Sequence, residues 1–256
     1  EIEGRIREYF SSLRLPERVT LYDELLLSLR PKDLIASFNW DPFLLQAYSR
    51  NREIGELPRI VFLHGNVWAG YCPEHNRKGY ATQRCGHCDQ PLQPTPLLYP
   101  VQQKNYTENP FISNEWNELH WRLSHAYILT IFGYSAPTSD VEARKLILEV
   151  WQRNPLRDLA DIEIIDIKAR EDVEATWRDL LSTKYYRVLS SLDHSCLLRY
   201  PRRTFEALAM ASLQNDPCRD NRLPRLREVE KLQEHIWPLV EAEIALREEN
   251  RPFKCR

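Results

Sequence analysis

Residues 72–88, CPEHNRKGYATQRCGHC, carry the side chains best suited to hold a metal. Cys72 and His75 are three apart, Cys85 and Cys88 are three apart, and nine residues separate the pairs. A pair at that spacing sits on one tight knuckle, and two knuckles present four donors to a tetrahedral ion. Three thiolates and an imidazole suit zinc, and Gly86 suits the turn inside the second knuckle. With Cys72, His75, Cys85 and Cys88 all bound, no position remains for water, so the expected zinc is structural. His87 is the right type to replace His75 but lies inside the second knuckle, where it is expected to point elsewhere.

A second set of candidates stands at the ends of four short apolar runs, DLIASF, RIVFLH, YILTIFG and IEIIDI. Each run is too short for a helix, rich in β-branched or aromatic residues, and without clean alternation, which is how strands buried on both faces read. In an open parallel sheet, ligands bind beyond the carboxyl ends of the strands. Those ends carry Asn39 and Asp41, then His64 and Gly65, then Gly133 and Ser135, then Asp166. An amide can orient water or stabilise positive charge, and an imidazole takes a proton near neutral pH. Glycine lets a phosphate or ribose come close to the backbone. Together these groups suit cleavage of a nucleotide glycosidic bond through an oxocarbenium-like transition state. Each also has a plainer role: Asp41 as a helix cap, Ser135 as a turn residue, Asn39 bonded to backbone, His64 as a structural imidazole.

Helices must position these ends. EIEGRIREYFSSL and TLYDELLLSLR open the chain; Thr20 is the expected N-cap of the second, with Asp23 at its third position and a stop at Pro31. DPFLLQAYSRN follows the first strand, with Asp41 as N-cap and Pro42 at the first helical position. SNEWNELHWRLSHA precedes the third strand and TSDVEARKLILEVWQRN follows it. Alternation of strand and helix predicts an α/β fold with a parallel, Rossmann-like sheet. That domain spans 1–168 with an inserted zinc-binding module at 71–92, and an α-helical C-terminal extension spans 169–256. In the extension, EDVEATWRDLL, RRTFEALAMASLQ and LREVEKLQEHIWPLVEAEIALREE read as helices. Arg202 and Arg203 are expected to be solvated at a helix start. Ile236, Leu239, Val240 and Ile244 form one apolar face, which packs on this chain or forms a seam with a second copy or a partner protein. Trp40, beside Asn39, is a candidate pocket wall.

The bulk composition narrows the classes. The 256 residues are 43% hydrophobic and 28% charged, enough for a substantial core. A net charge of −2 with mixed signs gives no clustered basic face for nucleic acid. The longest apolar runs fall short of the roughly 20 residues that span a bilayer, and no signal peptide stands at the visible start. Cysteine usage points to the cytoplasm, with Cys196, Cys218 and Cys255 expected as reduced thiols without a task.

SFNWD, LHG, a four-ligand zinc module and FGYSAP, in that order, resemble the sirtuin superfamily across about residues 33–167. Sirtuins set a T-x-N-x-D strand end, an L-H-G strand end, paired zinc knuckles and a G-[TAF]-S strand end around NAD. The resemblance implies that Ser37, Asn39, Asp41, Gly133, Ser135 and Asp166 contact NAD. It makes His64 the general base and assigns Asn39 and Asp41 to the nicotinamide ribose; in an NAD hydrolase Asn39 would also be catalytic, stabilising or positioning the water that His64 activates. Asp166 stands near the adenosine end, where sirtuins more often carry Asn. Two departures matter. The glycine-rich phosphate loop of sirtuins is missing from these 256 residues: either it lies upstream of Glu1, which the missing Met favours, or the protein does not hold NAD in the usual way. LLYPVQQKNY replaces the V-x-F-G-E-like segment that pairs with an acyl-lysine peptide, and its Pro100 removes a strand donor. That loss points to the sirtuin-like enzymes that hydrolyse NAD to nicotinamide and ADP-ribose, many of them bacterial antiphage defence effectors. A protein deacylase and a non-catalytic nucleotide-binding or scaffold module are the alternatives.

Overall fold

The run DLIASF contributes β1 (Leu34–Ser37) and RIVFLH contributes β2 (Arg59–Phe62), which pair in parallel from Leu34↔Arg59 to Ser37↔Phe62. The crossover is α3 (Phe43–Asn51) followed by a 3-10 turn at Arg52–Ile54. The structure is a computed structural model that describes residues 2–99, 106, 108–137, 140–156, 158–181, 185–213 and 221–249. Two helices precede β1: α1 (Ile2–Ser12) and α2 (Leu21–Ser28). At the start of α2 the Thr20 N–H donates to Asp23 Oδ2 at 2.7 Å, the expected cap.

Side chains of β2 leave in both directions, which explains its lack of alternation. Ile60 and Phe62 pack with Leu26 of α2 and Leu44 and Ala47 of α3. Val61 and Leu63 enter the main core with Phe111, Ile112 and Trp116 of α4 (Pro110–Leu123). The Asn109 side chain caps α4, accepting from the Phe111 and Ile112 N–H groups, and Pro110 begins it, where a missing N–H costs nothing.

The remaining parallel strands are β6 (Ile128–Phe132), β7 (Asp161–Ile165) and β8 (Tyr186–Leu189), ordered β6-β7-β8. Helices α5 (Val141–Gln152) and α6 (Arg170–Trp177) make their crossovers. Between them β3 (Ala69–Cys72), β4 (Arg77–Tyr80) and β5 (Gln93–Pro94) form a small antiparallel sheet. The fold is therefore α/β with parallel strands, but in two hydrogen-bonded groups where the alternation predicts a single sheet. Among the described residues no ladder joins β1 to β6. The two groups share a core instead, in which Val61 and Leu63 meet Ile131, Ile162, Ile164, Trp151 and Trp177.

The expectation of an all-helical stretch after residue 168 fails at β8. Four residues, YRVL, pair with β7 from Ile162↔Tyr186 to Ile165↔Leu189. Arg187 adds an ion pair with Asp161 of the neighbouring strand. Such a strand is too brief to announce itself by periodicity and is defined by its partner. Cys196, at the head of α7 (Cys196–Arg199), is not idle: its Sγ accepts from Arg187 Nη1 at 2.8 Å, and its N–H donates to buried Glu163 at 2.9 Å. Cys218 and Cys255 lie outside the described residues.

Arg202 and Arg203, expected in solvent, are buried between α7 and α8 (Thr204–Leu213). Both reach Glu243 on α9 (Val229–Glu248): Arg202 Nη2 donates to Oε2 at 2.6 Å and Arg203 Nη1 to Oε1 at 2.6 Å. The Arg202 N–H also donates to Ser28 O at 2.6 Å, tying α2 to the same junction. On α9, Ile236 and Val240 pack against Leu27, Ile54 and Leu57 of this chain, so they supply no seam to another copy. Ile244 and Trp237 stay exposed. Among the described residues no helix is long and apolar enough to cross a membrane.

Candidate functional site

The metal ligands converge. Cys72 ends β3, and the turn to β4 passes through Asn76 at φ 50°, a left-handed position that asparagine tolerates. The second knuckle closes with the Asp89 N–H donating to Cys85 O at 2.9 Å and the Cys85 N–H to Gln90 O at 2.8 Å. As a result one donor atom from each of Cys72, His75, Cys85 and Cys88 lies within 4.8 Å of all the others. The Cys72 Sγ···His75 Nδ1 distance is 3.6 Å and Cys72 Sγ···Cys88 Sγ is 3.7 Å. A zinc tetrahedron with Zn–S near 2.3 Å and Zn–N near 2.0 Å has an S···S edge of about 3.8 Å and an S···N edge of about 3.5 Å. The cysteines are free thiols, too far apart for a disulfide, and the spacing fits zinc. The backbone amides of Cys88 and His87 pull the Cys85 thiol down to about 7, toward the thiolate that a metal needs. His87 stands outside the four, with Nε2 2.9 Å from Arg77 Nη2 and its ring stacked on His75. Lys78 of β4 anchors the module to the main core, donating to both Glu115 oxygens of α4 at 2.8 Å and to Ile60 O of β2 at 2.6 Å.

At the carboxyl end of β1 the chain parts its candidates by strand parity. Leu34 and Phe38 pack on the α4 side, whereas Ile35 packs on the α2–α3 side. Asn39 shares the parity of Ile35, and its side chain lies near enough to the Tyr22 hydroxyl on α2 to lower that phenol. Burial, with the charge of Asp41, raises the Tyr22 phenol to about 12, and Asn39 draws it back. Burial also raises the Asp41 carboxyl, whose Oδ1 accepts from the Phe43 N–H at 3.1 Å at the entry to α3. Ser37 Oγ accepts from the Asn39 N–H at 3.1 Å. Ser37, Asn39, Asp41 and Tyr22 thus form one polar group.

His64 keeps different company. After Leu63 the chain turns, with the Gly65 N–H donating to Phe62 O and Gly65 at φ 80°. A Cβ on Gly65 would stand 1.7 Å from Pro96 O, so only glycine fits. The turn aims the imidazole at the α4 side, where it is 6% exposed. Its Nε2 is 3.2 Å from the Tyr106 hydroxyl, and Phe38 meets it edge-on at 4.8 Å. Phe38 in turn stacks flat on Tyr134 at 4.1 Å and meets Trp116 at 6.1 Å. Tyr134 donates to Asp140 Oδ2 at 3.3 Å. Burial is the main reason that both the Tyr106 and Tyr134 phenols are raised, so both remain hydroxyls. The sequence reading missed Tyr106, Phe38 and Tyr134; Phe38 and Tyr134 sit inside the quoted stretches SFNWD and FGYSAP, and only their packing distinguishes them.

Gly133, Ser135 and Asp166 stand at the carboxyl ends of β6 and β7. Gly133 has φ 65° and open space around its α-carbon, and its N–H donates to Ile165 O at 3.1 Å. Ser135 is exposed. Asp166 Oδ1 accepts from the Lys168 N–H at 3.0 Å, a local turn. The stretch LLYPVQQKNY lies outside the described residues from Pro100 to Asn105.

No protein-family profile matches the chain, and no curated protein matches it. Similar solved structures include a Sir2 homologue in complex with NAD, 12% identical over 93% of this chain and 73% of that one, with a TM-score of 0.39. Another is a point mutant of a Sir2 homologue in complex with ADP-ribose, 11% identical over 95% of this chain and 76% of that one, also with a TM-score of 0.39. Likeness at that level decides neither fold nor activity.

Proposed function

We propose that this chain is a sirtuin-type domain that hydrolyses NAD to nicotinamide and ADP-ribose. The observation that carries the reading is the layout of its motifs. SFNWD, LHG, FGYSAP and IIDI end four strands, β1, β2, β6 and β7, with a four-donor zinc cluster between the second and third. In the reaction the bond between ribose C1′ and the nicotinamide nitrogen breaks, its electron pair leaving with nicotinamide. Water bonds to C1′ and gives its proton to His64. Asn39 and Asp41 hold the ribose whose positive charge develops, and Ser37, Gly133, Ser135 and Asp166 line the rest of the dinucleotide. Zinc at Cys72, His75, Cys85 and Cys88 stabilises the module and takes no part. His64 is buried, with Nε2 beside the Tyr106 hydroxyl and Phe38 against its ring, so water and substrate reach it only once this packing opens, and the enzyme rests in a restrained state. Such restraint suits a cytoplasmic defence effector whose substrate is a shared cofactor.

A second reading, a non-catalytic nucleotide-binding module, draws on the same sealing of His64 and on the turn of Asn39 toward Tyr22. Nicotinamide release from NAD, followed by chromatography with and without an acetylated peptide, separates the readings. Hydrolysis reduced about 100-fold or more in His64→Gln supports the first. NAD that binds and survives, with wild type and His64→Gln alike, supports the second, and consumption only with the peptide would mark a deacylase.

A further inference from the structure

We propose that the gap between β1 and β6 is a slot for one more β-strand, apolar on both faces, parallel to its neighbours and leading into α1. The two strand groups are halves of one layer: Leu34 of β1, Val61 of β2, Ile131 of β6 and Ile162 of β7 all face the same core. β1 and β6 run the same way. At their amino ends Phe205 of α8 touches both, with Lys32 Nζ 5.1 Å from its ring centre and the Tyr127 ring at 5.0 Å. At their carboxyl ends Phe38 stacks on Tyr134 at 4.1 Å. Side chains thus bridge both ends, yet among the described residues no ladder joins the two strands. Strands that flank a third stand about 10 Å apart, a span that large side chains cross.

The backbone of both inner edges is unused. The Arg59 N–H donates to Asp33 O and the Leu63 N–H to Ser37 O, so odd-numbered residues of β1 bond β2. Leu34 and Ala36 therefore present their N–H and C=O groups to the gap. On the far side the Asp161 N–H donates to Tyr127 O and the Gly133 N–H to Ile165 O. That leaves the backbone groups of Ile128, Thr130 and Phe132 facing the gap. No described residue bonds the groups on either edge, and solvent reaches them: Ala36 is exposed and Phe132 is 46% exposed. The outer edge of β2 differs. Lys78 Nζ donates to Ile60 O at 2.6 Å and the Phe62 N–H to Glu115 Oε2 at 2.7 Å, so side chains cap it. Open edges are ordinarily guarded by charge or proline, and LIAS and ILTIF have neither.

Two facing ladders accept a strand. Filling the gap gives the order β2-β1-slot-β6-β7-β8, the doubly wound arrangement with its first strand in the slot. Such a strand precedes β1 in the chain, and α1 is placed to follow it. Arg7 of α1 donates to Thr95 O at 2.8 Å and Phe10 meets Trp40 at 5.9 Å, at the carboxyl rim where a parallel strand ends. The segments PVQQKN (100–105), QNDPCRD (214–220) and NRPFKCR (250–256), outside the described residues, each contain proline and charge, which a central strand excludes. The occupant therefore lies outside these 256 residues. The inference does not rest on NAD hydrolysis.

The test reads amide hydrogen exchange in the intact chain alone and in the chain with a short valine–isoleucine strand fused ahead of Glu1 through a glycine–serine linker. The same extension with a central proline is the control, and a free peptide of the strand flanked by lysines is the arm in trans. In the chain alone the Ala36 and Thr130 amides should exchange about tenfold or more faster than those of Ile35 and Ile131, which the ladders hold. The fused strand should slow Ala36 and Thr130 by about tenfold or more and raise the melting temperature, and the proline version should do neither. Amides at Ala36 and Thr130 that are already slow in the chain alone, unchanged by the fused strand, or slowed equally by the proline version would overturn the slot. Protection by the free peptide but not by the fused strand would assign the slot to a partner chain and overturn its link to α1.

Discussion

Replacing Glu243 with alanine tests whether α9 is locked to the α7–α8 junction by buried charge. In the native chain the Arg202 side chain is 1% exposed and Arg203 is 8% exposed, and both donate to one carboxylate. Glu243→Ala strands two guanidinium groups away from water. Breaking one buried pair costs about 3–5 kcal/mol. Here some bonding survives, because Arg202 Nη1 also donates to Leu29 O at 2.7 Å and Arg203 Nη2 to Leu239 O at 3.1 Å. A loss of about 4 kcal/mol is therefore expected, equivalent to roughly 8–16 °C in melting temperature for a chain of this size. The assay is thermal unfolding by circular dichroism, with limited proteolysis to detect early release of α9. Glu243→Gln, which keeps the shape and loses the charge, should recover only part of the loss. A melting temperature within about 2 °C of wild type for Glu243→Ala, with unchanged proteolysis, would refute the clamp, since a pair of that worth cannot vanish unnoticed.

Zinc should copurify at one ion per chain and be released by thiol modification, and Cys88→Ser should lower its affinity; a purified protein free of zinc and indifferent to chelators would contradict the cluster. Gly65→Ala should cost roughly 3 kcal/mol or more, from left-handed strain and overlap with the Pro96 carbonyl, and a variant that melts like wild type would show that the turn is not the one described. Acid should expose the Asp23 network: burial pushes this carboxyl up, but hydrogen bonds from Arg50 and Thr20 outweigh it and hold it below its ordinary 3.8. Its folded form thus favours the carboxylate, a contribution full above the ordinary value and lost as pH falls through the lowered one. Denaturation midpoints of wild type and Asp23→Asn, followed from about pH 5 downward, should converge as acid removes that contribution from wild type; parallel curves would deny Asp23 its role.

Much of this architecture could be read one local stretch at a time. Cys72 with His75 and Cys85 with Cys88 declare a metal site because two intervening residues already dictate a knuckle. Thr20 and Asp23 declare a helix start through bonds that span three residues. RIVFLH and IEIIDI declare strands because burial on both faces removes the polar half of the alternation. What stayed hidden depends on partners far away in the chain. β8 is four residues long and exists because β7 supplies its ladder. Arg202 and Arg203 read as surface charges until Glu243, some 40 residues on, closes over them.

The sequence by itself determined the kinds of groups available at the strand ends, an amide, an imidazole, a hydroxyl and carboxylates, together with the four metal donors. Only the tertiary structure decided which of them meet. Strand parity sends Asn39 toward Tyr22, while the turn at Gly65 carries His64 in among Phe38 and Tyr106. A side chain's direction follows from the backbone torsions of its own residue, but its neighbours follow from how whole elements pack, and that information is spread over the entire chain.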